Sequence, residues 1–147
     1  MEIQDFSHHL QGIQEDLRHQ LEQDLPEEIG NLAVRRFKLN FQKESFFGKP
    51  WLEVKRRQNG TKGAAGSRKI LTESGDLGYS IDYETHEGSV TVFSDLPYSE
   101  AHNEGTKNAG RSHNVTIPQR QFMGEHENLT KLIIKKIERA ITKILKQ

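Results

Sequence analysis

Apolar side chains recur at helical spacing from the start of the chain: Phe6, Leu10, Ile13, Leu17 and Leu21. A single apolar stripe of this kind predicts an amphipathic helix over about residues 5–24. A break is expected near Asp24–Leu25, because Pro26 suits the first turn of a second helix. That helix should continue to about Glu44, where the breakers in "FFGKPW" end it and the aromatic side chains fold back onto the core.

The hydrophobic period then changes from helical spacing to alternation. Residues 55–69 are basic, rich in glycine and without large apolar side chains, which predicts a mobile loop. Alternating apolar positions in "LGYSIDYE" and "SVTVFSD" predict strands over Leu77–Glu84 and Ser89–Ser94. Gly88 can supply the positive φ of the turn between them, so the two strands should form a hairpin.

The last helix has the clearest pattern. Its predicted buried stripe consists of Leu129, Ile133, Ile137, Ile141 and Ile144 or Leu145. The chain therefore predicts an α+β fold with N-terminal helices, a small antiparallel sheet built on a hairpin with long loops, and a C-terminal amphipathic helix packed on the sheet. One domain over residues 1–147 is expected, in which residues 1–24 are a possible interaction arm.

Composition narrows the functional classes. The chain has 147 residues, 33% of them apolar, and no cysteine, which excludes disulfides and thiolate chemistry. No apolar run approaches the roughly 20 residues that span a bilayer, and the acidic N-terminus is unlike a signal peptide. We therefore expect a soluble protein made in the cytoplasm, with no cofactor and no membrane contact.

Charge is sorted along the chain although the net charge is zero. Residues 1–30 carry eight acids and a single base, Arg18, whereas residues 131–147 carry six bases and one acid. Six more bases lie in the predicted loop: Lys55, Arg56, Arg57, Lys62, Arg68 and Lys69. Such sorting can steer one surface onto another. The predicted contact joins acids of the first helix to bases of a neighbouring subunit's last helix: Glu15, Asp16 and Glu22 with Lys135, Lys136 and Arg139.

Catalytic and metal-binding patterns are weak. The seven histidines show no metal-ligand spacing, and no nucleophile elbow or phosphate-binding loop is present. Asp82 and Glu84 could hold a metal weakly, but they are better explained as the solvent side of an amphipathic strand. The basic loop could contact phosphates, so weak DNA contact is a further expectation. No metal site and no catalytic residue is predicted.

Three sequence blocks are specific when they are read together: "ILTESGDLGYSI", "VFSDLPYSEAHNEG" and "IPQRQFMG", followed by a cationic helix. In order and spacing they resemble the phage virion morphogenesis family, the tail-completion proteins related to the Mu G protein. The resemblance covers about residues 27–146 and leaves the first helix unplaced. The matching positions are Leu71, Ser74, Gly75, Leu77, Tyr98, His102, Gly105, Ile117, Pro118, Arg120, Phe122 and Gly124. Ser99, Asn103, Gln119 and Gln121 depart from the family pattern.

The resemblance implies a head-to-tail joining role without known catalysis. Within the loop after the hairpin, we expect Tyr98 and Phe122 to anchor the two ends to the hairpin, with Gly105 opening the loop and Pro118 closing it. Arg120 should bind a carboxylate or carbonyls through its planar donors, and His102 should be a hydrogen-bonding loop residue.

The first functional hypothesis is a virion assembly protein, a tail-completion or tail-terminator subunit that forms a ring at the end of a phage tail. Its expected partners are copies of itself, the tail tube and the head-tail connector, in the virion and in the host cytoplasm during assembly. The alternative is a nucleic-acid-binding module that uses residues 55–69 and the C-terminal helix. A metal-dependent hydrolase is the third and least favoured functional hypothesis.

Overall fold

Long helices begin and end the chain in the computed structural model, which describes residues 2–147. In chain order the helices are α1 (Ile3–His19), α2 (Leu25–Lys43), α3 (Lys55–Gln58), α4 (Ala64–Ser67), α5 (Asp76–Tyr79), α6 (Ser99–Glu104) and α7 (Glu127–Leu145). The strands are β1 (Ser45–Phe46), β2 (Lys49–Pro50), β3 (Ile81–His86), β4 (Ser89–Ser94), β5 (Thr106–Ala109) and β6 (Val115–Ile117). The predicted α+β class is confirmed, with helices at both ends and antiparallel strands between them.

The strands form three separate pairs, β1–β2, β3–β4 and β5–β6, within the part of the chain that the structure describes. In the first pair Ser45 lies opposite Pro50 and Phe46 opposite Lys49. Phe47 and Gly48 connect these strands with φ of +47° and +94°, as a tight hairpin turn with two left-handed residues requires. The predicted hairpin is present as β3–β4, and Gly88 in its turn has φ of +72°.

The predicted break at Asp24–Leu25 is wrong, because the chain stays helical there. A π-helical turn, Gln20–Asp24, joins α1 to α2, and the Leu25 amide donates to the Gln20 carbonyl five residues back. Pro26 has no amide hydrogen to give to the Glu22 carbonyl four residues back. The amide of Gly88 donates to that carbonyl instead, at 3.2 Å. The proline is therefore tolerated inside a continuous helix.

One compact unit comprises the chain up to Ala33, Tyr83–Val92 and Glu127–Gln147. Within it α1 contacts α7, and the ring of Tyr83 lies so close to Gly30 that a Cβ there would overlap it. Its buried apolar side chains are Leu25, Ala33, Leu129 and Ile144. The predicted stripe of α1 is only partly covered, since no residue of α1 is buried.

The other compact unit comprises Val34–Asp82 and Phe93–His126. Its buried apolar side chains are mainly aromatic or branched: Phe37, Phe41, Phe46, Trp51, Ile70, Leu77, Ile81 and Phe122. Phe41 contacts both Trp51 and Phe122, with ring centroids 5.5 and 5.0 Å apart. Buried polar side chains lie among them, and these position the motif residues described below.

Two further predictions of local structure are wrong. Leu77–Ser80 is not strand: α5 occupies Asp76–Tyr79, and Tyr79 is 81% exposed instead of sharing a buried face with Ile81. Residues 55–69 are not free of regular structure either, since they contain α3 and α4. The mobility of this segment stays a prediction.

Candidate functional site

Phe122 is the most deeply buried side chain of the third motif block, with 0% exposure. Its backbone lies outside the strands, yet both of its polar groups are satisfied. The Phe122 amide donates to Oδ1 of Asn103, and its carbonyl accepts from Nδ2 of Asn40, both at 2.9 Å. Side chains from α2 and α6 thus supply the hydrogen bonds that a neighbouring strand would otherwise provide.

Asn103 uses the full hydrogen-bonding capacity of its amide. Besides Phe122, its Oδ1 accepts from the Met123 amide at 3.0 Å. Its Nδ2 donates to the Met123 carbonyl at 3.0 Å and to Oε1 of Glu104 at 2.9 Å. Since Asn103 is only 9% exposed, these bonds form where competing water is scarce, and they fix the backbone of Phe122 and Met123.

The residue on the other side of Phe122 is held in the same way. The indole Nε1 of Trp51 donates to the Gln121 carbonyl at 2.6 Å, and the Arg120 amide donates to the His102 carbonyl at 2.9 Å. We call the segment Arg120–Met123, together with Asn40, Trp51 and Asn103, the motif clamp. It ties the third motif block to α2, to the segment after β2 and to α6.

Arg120 is a buried cation with neutral partners. It is 8% exposed, and its Nε and Nη2 donate to the carbonyls of Leu52 and Glu53 at 2.9 and 3.4 Å. Planar donors that bind carbonyls are what its position in the motif leads us to expect. Burial, and next the charge of Arg56, lower the pKa of Arg120, while the Glu53 carboxylate opposes this shift.

One expectation for the second motif block is wrong. Tyr98 does not anchor a loop in the core, because it is 41% exposed, and its ring lies edge-on to that of His102 with centroids 6.1 Å apart. Phe122 packs on α2 through Phe41, with ring centroids 5.0 Å apart, and its expected contact with the hairpin stays a prediction. His102 lies in α6 and forms hydrogen bonds through its backbone, since its carbonyl accepts the Arg120 amide at 2.9 Å. Its ring Nδ1 is buried without a partner among residues 2–147. Burial, and next the charge of Arg120, lower the pKa of His102, which favours the neutral ring.

Gly105 lies where no other residue fits without strain. It has φ of +74°, and a Cβ on it would lie 2.8 Å from the amide nitrogen of Gln119. The β5–β6 ribbon begins directly after it and pairs Thr106 with Ile117, and Pro118 follows. Gly105 and Pro118 therefore flank the ribbon, as the opening and closing positions of the loop.

The first motif block builds the turn that enters α5. Leu71 and Gly75 have φ of +57° and +82°, and the hydroxyl of Ser74 accepts the Asp76 amide at 3.2 Å. Leu77, at 4% exposure, reaches the core, as do Ile70 and Ile81 at the two ends of the block. The block thus orients α5 immediately before strand β3.

The basic segment 55–69 uses two of its cations to hold itself together. Arg57 forms a two-pronged pair with Glu44 at 2.6 and 2.8 Å, and this bond holds the pKa of Glu44 below its ordinary value. Arg56 donates to the carbonyls of Ala65, Arg68 and Lys69 at 2.7–3.1 Å. Lys55 and Lys62 are exposed. The segment therefore offers fewer available cations than its sequence indicates.

Comparison with known proteins decides the family. The sequence model of the phage virion morphogenesis family matches residues 1–142. The chain belongs to the phage virion morphogenesis family. No curated protein and no solved structure matches the chain. The match begins at residue 1, so the first helix, which the sequence resemblance left unplaced, lies within the family's extent.

In this virion morphogenesis protein the two oppositely charged helices are already neighbours within one chain. Helix α1 contacts α7, and Lys136 pairs with Glu28 at 3.0 Å. Glu15, Asp16, Lys135 and Arg139 are exposed, whereas Glu22 is half-buried. The predicted contact between subunits is not tested by this arrangement, but Lys136 is committed to a partner in its own chain.

Within residues 2–147 no group of three or more His, Asp or Glu side chains could hold a metal ion. No helix in that part of the chain is both long enough and apolar enough to cross a membrane.

The clamp asparagines are the site residues that sequence reasoning missed. Asn40 lies between Phe37 and Phe41 on the buried side of α2, and a polar residue on an apolar helix face was the available signal. Asn103 departs from the family pattern, and that departure does not indicate that its side chain is buried.

Proposed function

We propose that this virion assembly protein is a tail-completion subunit that acts without catalysis, by binding other virion proteins in a ring at the head-proximal end of a phage tail. The family match over residues 1–142 carries this proposal. The motif residues support it, because the Arg120 side chain binds a backbone carbonyl and the Phe122 amide is bound by Asn103, an arrangement that holds the fold together.

An uncovered apolar surface on α1 supports action through binding. Ile3, Phe6 and Leu10 are 88%, 51% and 49% exposed, and their spacing places them on one side of the helix. The capping residues Glu2 and Asp5 favour helix at this end of α1. An ordered apolar face of this kind is typical of a surface that a partner protein covers.

Ring closure requires a heterologous interface, in which different surfaces of the same subunit meet. The exposed acids Glu15 and Asp16 on α1, and the exposed bases Lys135 and Arg139 on α7, have the opposite signs that such an interface uses. Lys136 contributes less, because Glu28 neutralises it within the chain. The proposed neighbour contact therefore rests on Lys135 and Arg139.

Electron microscopy of lysates tests the function. Deleting the gene should leave filled heads and tails that accumulate separately, and normally joined particles without the gene would contradict the proposal. Any binding of DNA by the purified protein should stay weak. A steep decrease of DNA affinity with salt would instead favour a nucleic-acid-binding module.

Charge reversal tests the interface separately. The double variant Lys135→Glu with Arg139→Glu should fold but block joining, while reversal of the exposed bases Lys43 and Lys49 serves as the matched control. Reversing Glu15 and Asp16 as well should restore part of the joining. Normal particles from the α7 variant would exclude this interface and leave the assembly role standing.

A further inference from the structure

Arg120 lines an open cleft that is rich in positive charge. The cleft has a volume of about 690 Å³, and its lining includes four bases, Arg56, Arg68, Lys69 and Arg120, with the single acid Glu73. Glu73 pairs with Arg68 at 3.0 Å, and the ammonium of Lys69 donates to the Gln42 carbonyl at 2.6 Å. Of the four bases, Arg68 alone therefore forms an ion pair with a carboxylate in the cleft lining.

The guanidinium of Arg120 is the unusual member. A charged group that is 8% exposed ordinarily has an ionic partner, because an uncompensated buried charge is strongly unfavourable. Arg120 forms no ion pair with any side chain in residues 2–147, and both of its hydrogen-bond acceptors are neutral carbonyls. Its Nη1 donates no hydrogen bond within that range. The Arg120 guanidinium therefore lies at the cleft with N–H donors that no acceptor in residues 2–147 uses.

Arg56 adds a second unused donor group at the same cleft. Its Nε and Nη2 bind carbonyls of its own segment, which leaves Nη1 free among the described contacts. The positive charge of Arg56 acts on Arg120 closely enough to lower the pKa of Arg120. Two like charges held near each other in a cleft repel, which disfavours the charged form of each group. An anion bound between them would offset that repulsion.

The walls of the cleft favour a carboxylate carried by a protein over a nucleic-acid phosphate. Apolar side chains, among them Val54, Ile70 and Leu77, line it together with the bases. A guanidinium matches the planar carboxylate with two parallel hydrogen bonds. A sugar-phosphate backbone follows a continuous charged surface instead, and the apolar wall gives it nothing to bind.

We infer that this cleft binds a carboxylate of a partner protein, an Asp or Glu side chain or a C-terminus, with Arg120 and Arg56 as its donors. The neutral ring of His102 at the cleft can add one N–H. The identity of the partner as a virion protein rests on the proposed function, whereas the carboxylate binding itself is a property of the isolated chain. The Glu53 carboxylate acts on Arg120 without forming an ion pair with it, and Arg120 would gain a directly bound carboxylate on assembly.

Nuclear magnetic resonance on the purified protein tests the inference with a matched pair of probes, the peptides acetyl-Asp-Glu-amide and acetyl-Asn-Gln-amide. The acidic peptide should shift the Arg120 Nε–H and His102 ring signals saturably at constant ionic strength, and the uncharged peptide should not. Equal shifts from both peptides, or no saturable shift from the acidic one, would overturn it. So would inorganic phosphate that binds as tightly as the acidic peptide.

Variants locate the site. Arg120→Lys keeps the charge but loses the planar fork, and affinity for the acidic peptide should fall about tenfold or more. If that variant does not fold, Lys69→Gln removes a cleft charge from an exposed position and should weaken binding about two- to fivefold. The control Lys62→Gln, exposed and outside the cleft lining, should bind as the unaltered protein does. An unchanged affinity in both cleft variants would contradict the assignment.

Two sources of the carboxylate are distinguished by dilution. If a second copy of the chain supplies it, the Arg120 and His102 signals should shift as the protein concentration rises, without added peptide. If another virion protein supplies it, those signals should be independent of concentration and should respond only to the acidic peptide. A negative peptide result leaves the lysate test of tail completion intact, and joined particles in the gene deletion leave the peptide result intact.

Discussion

Replacing Asn103 with alanine tests the motif clamp most sharply. The substitution removes the only acceptor that Asn103 offers to the amides of Phe122 and Met123, now 2.9 and 3.0 Å from its Oδ1. A buried donor left unsatisfied costs about 1–3 kcal/mol, so two such donors cost about 2–6 kcal/mol together. Because Asn103 retains 9% exposure, water can reach part of the space, and we expect the lower half of that range.

Urea unfolding measures this loss as a shift of the transition midpoint with an unchanged slope. Asn108→Ala is the matched control, since Asn108 is exposed on β5 and its side chain forms none of the clamp contacts. Its effect should stay within about 0.5 kcal/mol. A loss below about 1 kcal/mol in Asn103→Ala, at unchanged slope, would refute the reasoning, because the two amides would then be satisfied without the clamp.

Three further predictions follow from the same contacts. Phe122→Ala should lower the free energy of unfolding by about 3–5 kcal/mol in urea titrations, because the ring is fully buried against Phe41; a loss near zero would show that the ring is dispensable. Arg57 holds the pKa of Glu44 below its ordinary 4.5. As the pH falls, the Glu44 carboxylate is therefore protonated in the unfolded state before it is protonated in the folded state. The stabilisation by the Glu44–Arg57 ion pair is present above pH 4.5 and is lost as the pH falls through the pKa of the folded state. Glu44→Gln should thus differ from the unaltered protein at pH 7 more than at pH 3 in urea midpoints, and a pH-independent difference would contradict this. Limited trypsin digestion should cut first in residues 55–69, beginning at the exposed Lys62, and a first cut within α7 would contradict the predicted mobility.

The regular elements with a long hydrophobic period were predictable from sequence. Helix α7 carries its apolar residues at helical spacing over five turns, and it spans Glu127–Leu145, which contains the whole predicted stripe. Strand β4 alternates from Ser89 to Val92 and has the predicted bounds, Ser89–Ser94. In both cases the pattern and the local propensities agree.

Elsewhere, local backbone conformation and hydrogen bonds produced a structure that the hydrophobic pattern did not predict. Tyr79 and Ile81 alternate as in a strand, but Gly75 in a left-handed conformation and the Ser74 hydroxyl start the helical turn Asp76–Tyr79, which includes Tyr79. Pro26 indicated a helix start equally well at a break and after a π-helical turn. The continuous helix is favoured by Gly88, which is distant in sequence and whose amide donates to the Glu22 carbonyl.

The clamp could not be predicted because it is built from distant partners. Asn40 and Phe122 are 82 positions apart in sequence, and nothing within either segment indicates that they meet. The family resemblance named Arg120 and Phe122 but not the asparagines that hold them. A buried asparagine is recognisable from sequence only as an inconsistency, a polar residue on an apolar helix face.

Adding the purified protein back to a lysate that lacks its gene tests the central claim most directly. If the chain completes tails by binding, separate heads and tails in that lysate should join after the addition, and the count of infectious particles should rise in proportion to the protein added until tails are exhausted. Heads and tails that stay separate with correctly folded protein present, or a deletion lysate that already contains normal joined particles, would contradict the account.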